Sequence, residues 1–243
     1  MTEVEIVNQP EKAHELAQVL SAVWGGAEPI PPDVIIATMY AGGYASLASQ
    51  IIDGKKQFVG GSLAIVGNHQ RKLHSHVTGV IDAATNSGVG RALKEHQWLW
   101  AKENNFSAIS WTFDPLVRRN AHFNLIVLGA KVVKYCQNYY GEINDTINAG
   151  DQTDRLVVER QVEGLSVAPS ARICVAKDED LIIQTPLDIV SLRNTNRDTA
   201  TRLRLEQRAS FESAFANSLS VKGLTHDGSF VLTKHSSILK EVD

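Results

Sequence analysis

Three consecutive strand-like segments, followed by a helix that begins at two glycines, limit the folds open to this chain. The segments at 44–52, 56–67 and 72–83 are rich in Val, Ile and Ser, and turn residues separate them, as in a meander. The stretch ATNSGVGRALK (84–94) comes next and opens a long amphipathic pattern. This helix therefore follows the third strand of a meander rather than the first strand of the chain.

The rest of the chain alternates strands and helices. A strand at 4–7 and two helices precede the meander, and a strand, a helix and two strands extend from 106 to 162. A further strand at 171–176 and a helix over about 198–219 follow. The order predicts an α/β fold with a mixed sheet. Since no linker separates two parts, we expect a domain at 1–163 and an extension at 164–243 that packs on it.

The spacing of apolar residues predicts which helix faces are buried. After the glycines, Val89, Leu93, His96 and Trp100 fall on one face of the helix. In the tail helix a similar stripe is predicted, formed by Ala200, Leu203, Gln207, Phe211 and Phe215. Both helices are therefore expected to bury one face, and the stripe of the tail helix is expected to be covered by the first part of the chain.

Composition narrows the classes of partner. The 243 residues carry 24 Lys and Arg against 27 Asp and Glu, so the net charge is -3 and no basic field is available for nucleic acid. Cys136 and Cys174 are far apart, which favours neither a disulfide framework nor a zinc site. No leader or membrane-spanning run is evident. We expect a cytoplasmic protein without a metal.

The glycine stretch has two interpretations. A helix N-terminus offers unpaired N–H groups and a partial positive charge, which stabilise phosphate, and glycine allows close approach. Alternatively, Gly88 and Gly90 only turn a strand into a helix. The G-x-x-x-x-G-K-[ST] loop is absent, and Leu93 stands where a dinucleotide fingerprint needs its third glycine. Neither nucleotide motif therefore accounts for the stretch.

The chain resembles a branch of predicted acetyltransferases of the GNAT superfamily. The superfamily's phosphate loop reads R/Q-x-x-G-x-G/A, and the order of elements matches its fold. The matching stretches cover nearly the whole chain: VGG (59–61), LHSHVTGV (73–80), GVGRALK (88–94), WTFDPL (111–116), NAHFNLIVLGA (120–130), YYG (139–141), TDRLVVE (153–159) and the tail helix RLRLEQRASFESAF.

The resemblance implies a GNAT fold, with a mixed central sheet, a splayed fourth strand, flanking helices and a C-terminal α/β extension. It also implies a cofactor site. Val80 and Ile81 would pair by backbone with the pantetheine arm of acyl-CoA, the amides of Gly88, Val89, Gly90 and Arg91 would hold the pyrophosphate, and Asn120 would lie near the cofactor.

The implied reaction is N-acylation. The amine of a small or medium-sized acceptor would attack the thioester of acetyl-CoA, the default acyl donor, and N–H groups near Val80 would meet the oxyanion. Two positions depart from the family pattern: Thr85 replaces the loop's usual Arg or Gln, and Leu125 replaces a Tyr that many members carry. These departures motivate the alternative of a non-catalytic module that binds acyl-CoA or another ligand. A homodimer is compatible with either interpretation.

Few side chains are candidates for acid–base chemistry. His76 lies on the fourth strand near the expected splay and titrates near neutral pH, so it is a candidate base, or else a structural hydrogen bonder. Its neighbour His74, at i−2, shares its strand face, but no third metal ligand is evident. Asp114 ends a strand as a catalytic carboxylate or as a helix cap. Tyr140 is a candidate proton donor or part of an edge aromatic pair.

Overall fold

The computed structural model describes residues 2–24, 30–67, 71–141, 151–162 and 172–234. They form two compact units. The first holds residues 2–112 together with the end of a later strand from Glu159, and the second holds the other described residues from Phe113 onward. The predicted boundary between residues 163 and 164 lies outside the described residues, and the extension's packing on the first part stays a prediction.

The first unit is built on a meander. Its elements are β1 (Glu3–Ile6), α1 (Pro10–Val23), α2 (Pro32–Tyr40), β2 (Tyr44–Ile52), β3 (Lys55–Val66), β4 (Lys72–Val80), α3 (Val89–Glu103) and β5 (Ala108–Phe113). The strands are ordered β1-β2-β3-β4-β5, with antiparallel pairs up to β4 and a parallel β4–β5 pair. The last residues of β7 (Arg155–Gln161) follow β5 in this order. The mixed sheet and its flanking helices confirm the predicted fold class.

Helices cover both faces of this sheet. One core cluster joins α1 and α2 to residues such as Leu47 and Leu63, and another joins α3 to Ala48 and Val59. Two successive glycines of β3 allow this close packing. A Cβ at Gly60 would lie 3.2 Å from Val89 and Leu93 of α3, and one at Gly61 would lie 2.1 Å from Leu16 of α1. Neighbouring strand residues face opposite sides, so each glycine serves one helix.

The buried face of α3 differs from the predicted stripe. Val89 and Leu93 are buried as expected, but His96 and Trp100 are only half-buried. The other buried positions are Lys94, Gln97, Trp98 and Ala101. The predicted stripe was drawn from the spacing of apolar residues. The sheet covers whichever side chains face it, and these include Lys94 and Gln97.

The second unit contains short helices and two strand groups. Its elements are α4 (Arg118–Ala121), a π-helical turn (His122–Val127), β6 (Lys131–Cys136), the first residues of β7, β8 (Arg172–Ile173), β9 (Leu181–Ile183), α5 (Ile189–Thr195), α6 (Arg197–Ala216), β10 (Leu219–Leu224) and β11 (Phe230–Lys234). In this unit β6 lies beside β7, and a second sheet has the order β8-β10-β11-β9.

Several predicted elements of the second unit change in the structure. The helix predicted within 106–162 is a single α turn followed by the π-helical turn, in which the N–H of Leu128 bonds the carbonyl of Phe123. Strands β9 to β11 and α5 were not predicted. Charged side chains are frequent along α6. No helix in the described part of the chain has the length and apolar character needed to cross a membrane.

Candidate active site

The gap between β4 and β5 is the main feature of the candidate site. The two strands pair only through Lys72↔Ala108, Leu73↔Ile109 and His74↔Ser110. From that point β4 continues to Val80 paired with β3 alone. The predicted splay of the fourth strand is therefore present and begins after His74.

A β-bulge lies next to the start of this gap. The β3–β4 register passes from Leu63↔Val77 to Ala64↔Ser75, so His76 has no partner on β3. A bulge adds one residue to a strand and bends it, which turns β4 away from its neighbour. Because the bulge also interrupts the two-residue alternation, His74 and His76 need not share the face that their spacing predicts.

The far end of β4 carries backbone groups that point into the gap. The N–H of Ile81 bonds the carbonyl of Val59 on β3 at 2.9 Å. In an antiparallel pair, alternate residues bond the neighbouring strand. The N–H and C=O of Val80 are therefore directed away from β3, towards the open side of β4. An extended ligand can pair with these groups as an added strand.

The glycine stretch forms a tight turn into α3. Gly88 is the N-cap residue with φ of 86°, a left-handed conformation that glycine adopts without strain. The first helical bond runs from the N–H of Ala92 to the carbonyl of Gly88 at 3.0 Å. The amides of Val89, Gly90 and Arg91 precede that bond and have no acceptor within the helix. They form a ready site for an anion at the helix N-terminus.

Side chains before Gly88 hold the turn instead of offering positive charge. The hydroxyl of Thr85 donates to the carbonyl of Asp82 at 2.7 Å, and that of Ser87 donates to the carbonyl of Ala84 at 2.6 Å. Arg91 is exposed beside the free amides. The candidate anion site, which we call the cradle, thus consists of the backbone amides at the start of α3, and the side chain of Arg91 flanks it.

His76 and His74 differ in their surroundings. The side chain of His76 is exposed, and partial desolvation of its ring lowers its pKa. Burial also lowers the pKa of His74, with smaller contributions from the charges of His76 and Lys94. His74 Nδ1 lies 3.3 Å from Ser110 Oγ on β5. Of the two rings, that of His76 is the more exposed to solvent.

Asp114 lies in the second unit, in a buried ionic cluster. Its Oδ1 accepts from the N–H of Leu116 at 2.9 Å and from Arg204 at 2.8 Å. Its Oδ2 accepts from Arg204 and from Arg193, and the same two arginines bond Asp151. Arg155 lies 4.0 Å from Oδ2. The sequence did not predict this arrangement, because the stripe predicted on the tail helix did not include Arg204. In the structure Arg204 is buried.

The cluster determines what Asp114 can do. Burial raises the pKa of Asp114, but the hydrogen bonds and charge of Arg204 and the charges of Arg193 and Arg155 outweigh it and hold the pKa well below its usual range. A carboxylate held this strongly is a poor base at neutral pH. Asp114 is not the cap of the next helix either, because α4 begins after Val117 as its N-cap and has no side-chain cap bond. The bond from Leu116 instead holds the turn after β5, and we propose a structural role for Asp114.

Asn120 and Tyr140 also belong to the second unit. Asn120 is half-buried in α4, and its carbonyl accepts from the side-chain amide of Asn124 at 2.8 Å. The rings of Tyr139 and Tyr140 meet edge to face at 4.7 Å, and the Arg155 guanidinium lies 5.4 Å from the Tyr140 ring. The edge-pair interpretation of Tyr140 has direct support in these contacts, and its role as a proton donor stays a prediction.

A buried lysine of α3 was missed by the sequence interpretation. Lys94 is 6% exposed, and its Nζ donates to Ser75 Oγ at 2.9 Å and to Gln97 Oε1 at 3.0 Å. Nζ also lies 4.0 Å from the centre of the Trp111 ring. Burial, with a smaller contribution from the charge of Arg160, lowers the pKa of Lys94 to about 7. The available signal was a lysine adjacent to Leu93 on a helix expected to face the sheet.

A separate cavity of about 420 Å³ occurs in the first unit. Its lining includes Tyr40, Tyr44, Trp100 and Asn104. Trp100 is 11 residues beyond the start of α3, which at 1.5 Å per residue is about 16 Å along the axis. The cavity is therefore distinct from the glycine turn, and we assign it no part in anion binding.

Comparison with known proteins extends this picture at the level of fold. Neither a protein-family model nor a curated protein sequence matches the chain. Similar solved structures include a GNAT superfamily phosphinothricin acetyltransferase from Sinorhizobium meliloti in complex with AcCoA. It has TM-score 0.53 and 12% identity, and the alignment covers 69% of this chain and 92% of that one.

Two further structures agree with the first. An N-acetyltransferase from Staphylococcus aureus Mu50 has TM-score 0.52 and 13% identity, with 67% of this chain and 99% of that one covered. Arabidopsis thaliana Naa50, in complex with the bisubstrate analogue CoA-Ac-MVNAL, has TM-score 0.51 and 17% identity, with 66% and 98% covered. At such identities the likeness concerns architecture alone. The chain therefore has the fold of the GNAT acetyltransferases.

Proposed function

We propose that the protein is an acyl-CoA-dependent N-acyltransferase, with acetyl-CoA as the default donor. The observation that carries this proposal is the gap between β4 and β5, which leaves the backbone of Val80 unpaired by β5. An acyl-CoA has an extended pantetheine arm with amides that can pair with a strand and a pyrophosphate that suits the free amides at the start of α3. The open side of β4 and the free amides at the start of α3 are both in the first unit.

The chain's own groups define the proposed chemistry. The acceptor amine attacks the thioester carbonyl, a C–N bond replaces the C–S bond, and CoA leaves as its thiolate. We propose that His76 takes the proton from the amine and that the N–H groups near Val80 bind the oxyanion. We further propose Ile81 and Gly88 as cofactor contacts, and a small or medium-sized cytoplasmic amine as acceptor. For Asn120 and Tyr140, which belong to the second unit, the roles that the resemblance implies stay predictions.

Calorimetry with CoA and a thiol-release assay test this function together. We expect CoA to bind and free thiol to appear from acetyl-CoA when the right amine of a panel is present. Binding without thiol release for any amine would support the non-catalytic module. Failure to bind CoA at millimolar concentration would contradict both.

Reversing the charge of Arg91 tests the pyrophosphate cradle. In Arg91→Glu, a carboxylate at the third helical position repels the pyrophosphate and competes for the free amides, so CoA affinity should fall roughly 30-fold. The helix itself should not suffer, since acidic residues stabilise helix N-termini. Calorimetry measures the affinity, and circular dichroism checks the fold.

The neutral variant Arg91→Gln is the matched control for charge. It should lose only a few-fold in CoA affinity, because the backbone cradle is unchanged. Equal affinities of the wild type and Arg91→Glu would place the phosphates elsewhere.

A further inference from the structure

Lys94 is buried where the fold would be better served by an apolar side chain. It lies on the sheet-facing side of α3 beside Leu93, and it is 6% exposed. Within the described residues no carboxylate pairs with its amine. A buried ammonium without a counter-charge lowers stability. A methionine would fill similar space without that cost, so the lysine calls for a functional explanation.

The amine of Lys94 lies at the point where β4 and β5 separate. Their last pair is His74↔Ser110, and the next residue on each strand is Ser75 and Trp111. Lys94 Nζ donates to Ser75 Oγ and lies against the face of the Trp111 ring. We call this place, formed by the pair His74↔Ser110 and by Ser75 and Trp111, the fork. One amine thus contacts the first residue of each strand beyond the last pair that joins β4 to β5.

A short hydrogen-bonded chain extends the contact of Lys94 past the bulge. Gln97, which accepts from Lys94, donates to Ser62 Oγ at 3.1 Å, and Ser62 Oγ lies 2.9 Å from Thr78 Oγ1. Ser75 precedes His76 and Thr78 follows it on β4. The amine is therefore connected to β4 on both sides of the bulged residue.

We propose that Lys94 is a positioning residue of the acyl-CoA site: its amine bridges Ser75 and Trp111 and so holds the fork in the geometry that opens β4 to the ligand. The role in acyl-CoA binding rests on the proposed function, whereas the bridge itself rests on the contacts alone. Strands that end their pairing at a fork fray or re-pair unless other contacts hold them, and the buried hydrogen bond from the Lys94 amine to Ser75 is such a contact.

The variant Lys94→Met removes the amine and keeps the length of the side chain. We expect a thermal midpoint equal to or above that of the wild type, because a buried charge is removed. Amide hydrogen exchange at residues 73–75 and 109–111 should become about tenfold faster, and CoA affinity should fall about tenfold. A residue that served stability alone would instead lower the midpoint and speed exchange throughout the unit.

Lys102→Met is the matched control, since Lys102 is an exposed lysine of the same helix that lies over the Trp98 ring at 5.6 Å. It should change neither exchange at the fork nor CoA affinity. If Lys94→Met fails to fold, Ser75→Ala removes the partner of Lys94 on β4. Amide hydrogen exchange at the fork and CoA affinity, measured on this variant, then decide whether the contact holds the fork. In the double variant of Lys94→Met and Ser75→Ala, the two losses of CoA affinity should not add, because each substitution removes the same contact between Lys94 and Ser75.

Two results would overturn the inference: unchanged exchange at the fork, or faster exchange there with CoA affinity equal to that of the wild type. A wild type that binds no CoA would contradict the proposed function instead. In that case the exchange measurement still decides whether Lys94 bridges the two strands.

Discussion

Replacing Asp114 with asparagine should lower the free energy of unfolding by about 3–5 kcal/mol, because Arg193 and Arg204 would keep their buried charges with half of their counter-charge removed. In a chain of this size such a loss corresponds to a fall of roughly 10 °C in the thermal midpoint. Denaturant unfolding followed by circular dichroism measures the difference. An unchanged midpoint would show that the cluster contributes nothing to stability.

Glu206→Gln is the control for the loss of an acidic side chain. Glu206 accepts from Arg202 one turn away on α6, and both side chains are exposed. An exposed pair of this kind contributes about 0.5 kcal/mol or less, so this variant should resemble the wild type. A similar loss in both variants would mean that burial is not the cause.

The pH dependence of the Asp114→Asn effect follows from the direction of the pKa shift. The pKa of Asp114 is held below its usual range in the folded protein, so its stabilising contribution is complete above the unfolded value of about 3.9. It is lost as the pH falls towards the folded value. The difference in the free energy of unfolding between the wild type and Asp114→Asn should therefore be full at pH 7 and become smaller below about pH 4.

Replacing His76 with alanine should lower turnover about 100-fold while CoA affinity changes little, if His76 is the base that accepts the proton of the amine. Burial lowers the pKa of His76, so the neutral ring persists to a pH below the ordinary histidine value. The wild-type rate should accordingly fall only on the acid side of about pH 6.5, and the variant should lack this limb.

His14→Ala serves as the control, since His14 is an exposed histidine of α1. It should leave both kcat and its pH profile unchanged. An intact acid limb in His76→Ala would assign the base to another residue.

The architecture of the first unit follows closely from local patterns. The meander of β2 to β4 and the start of α3 at the glycines were predicted from turn residues and periodicity. Errors begin where long-range packing selects the face. Trp98 is buried and Trp100 half-buried because the position of α3 on the sheet, and not the apolar spacing alone, decides which residues are covered.

The second unit was harder to predict for a related reason. Its strands β8 and β9 have only two and three residues, too few for a period to show. The π-helical turn after Ala121 contains the bond from the N–H of Leu128 to the carbonyl of Phe123, five residues back, and an apolar period does not distinguish this spacing from that of an α-helix. Helix α6 was expected, yet its largest fully buried side chain is an arginine, Arg204.

The sequence by itself determined the order of elements, the glycine turn at Gly88 and the position of His76 on the fourth strand, because turns, caps and strands depend on residues close in the chain. Only the tertiary structure decided that β4 parts from β5 after His74, that the amine of Lys94 lies at this fork, and that Asp114 meets Arg193 and Arg204. These contacts join residues 19 to 90 positions apart. Desolvation and charge pairing act through space, so their partners become visible only when the chain has folded.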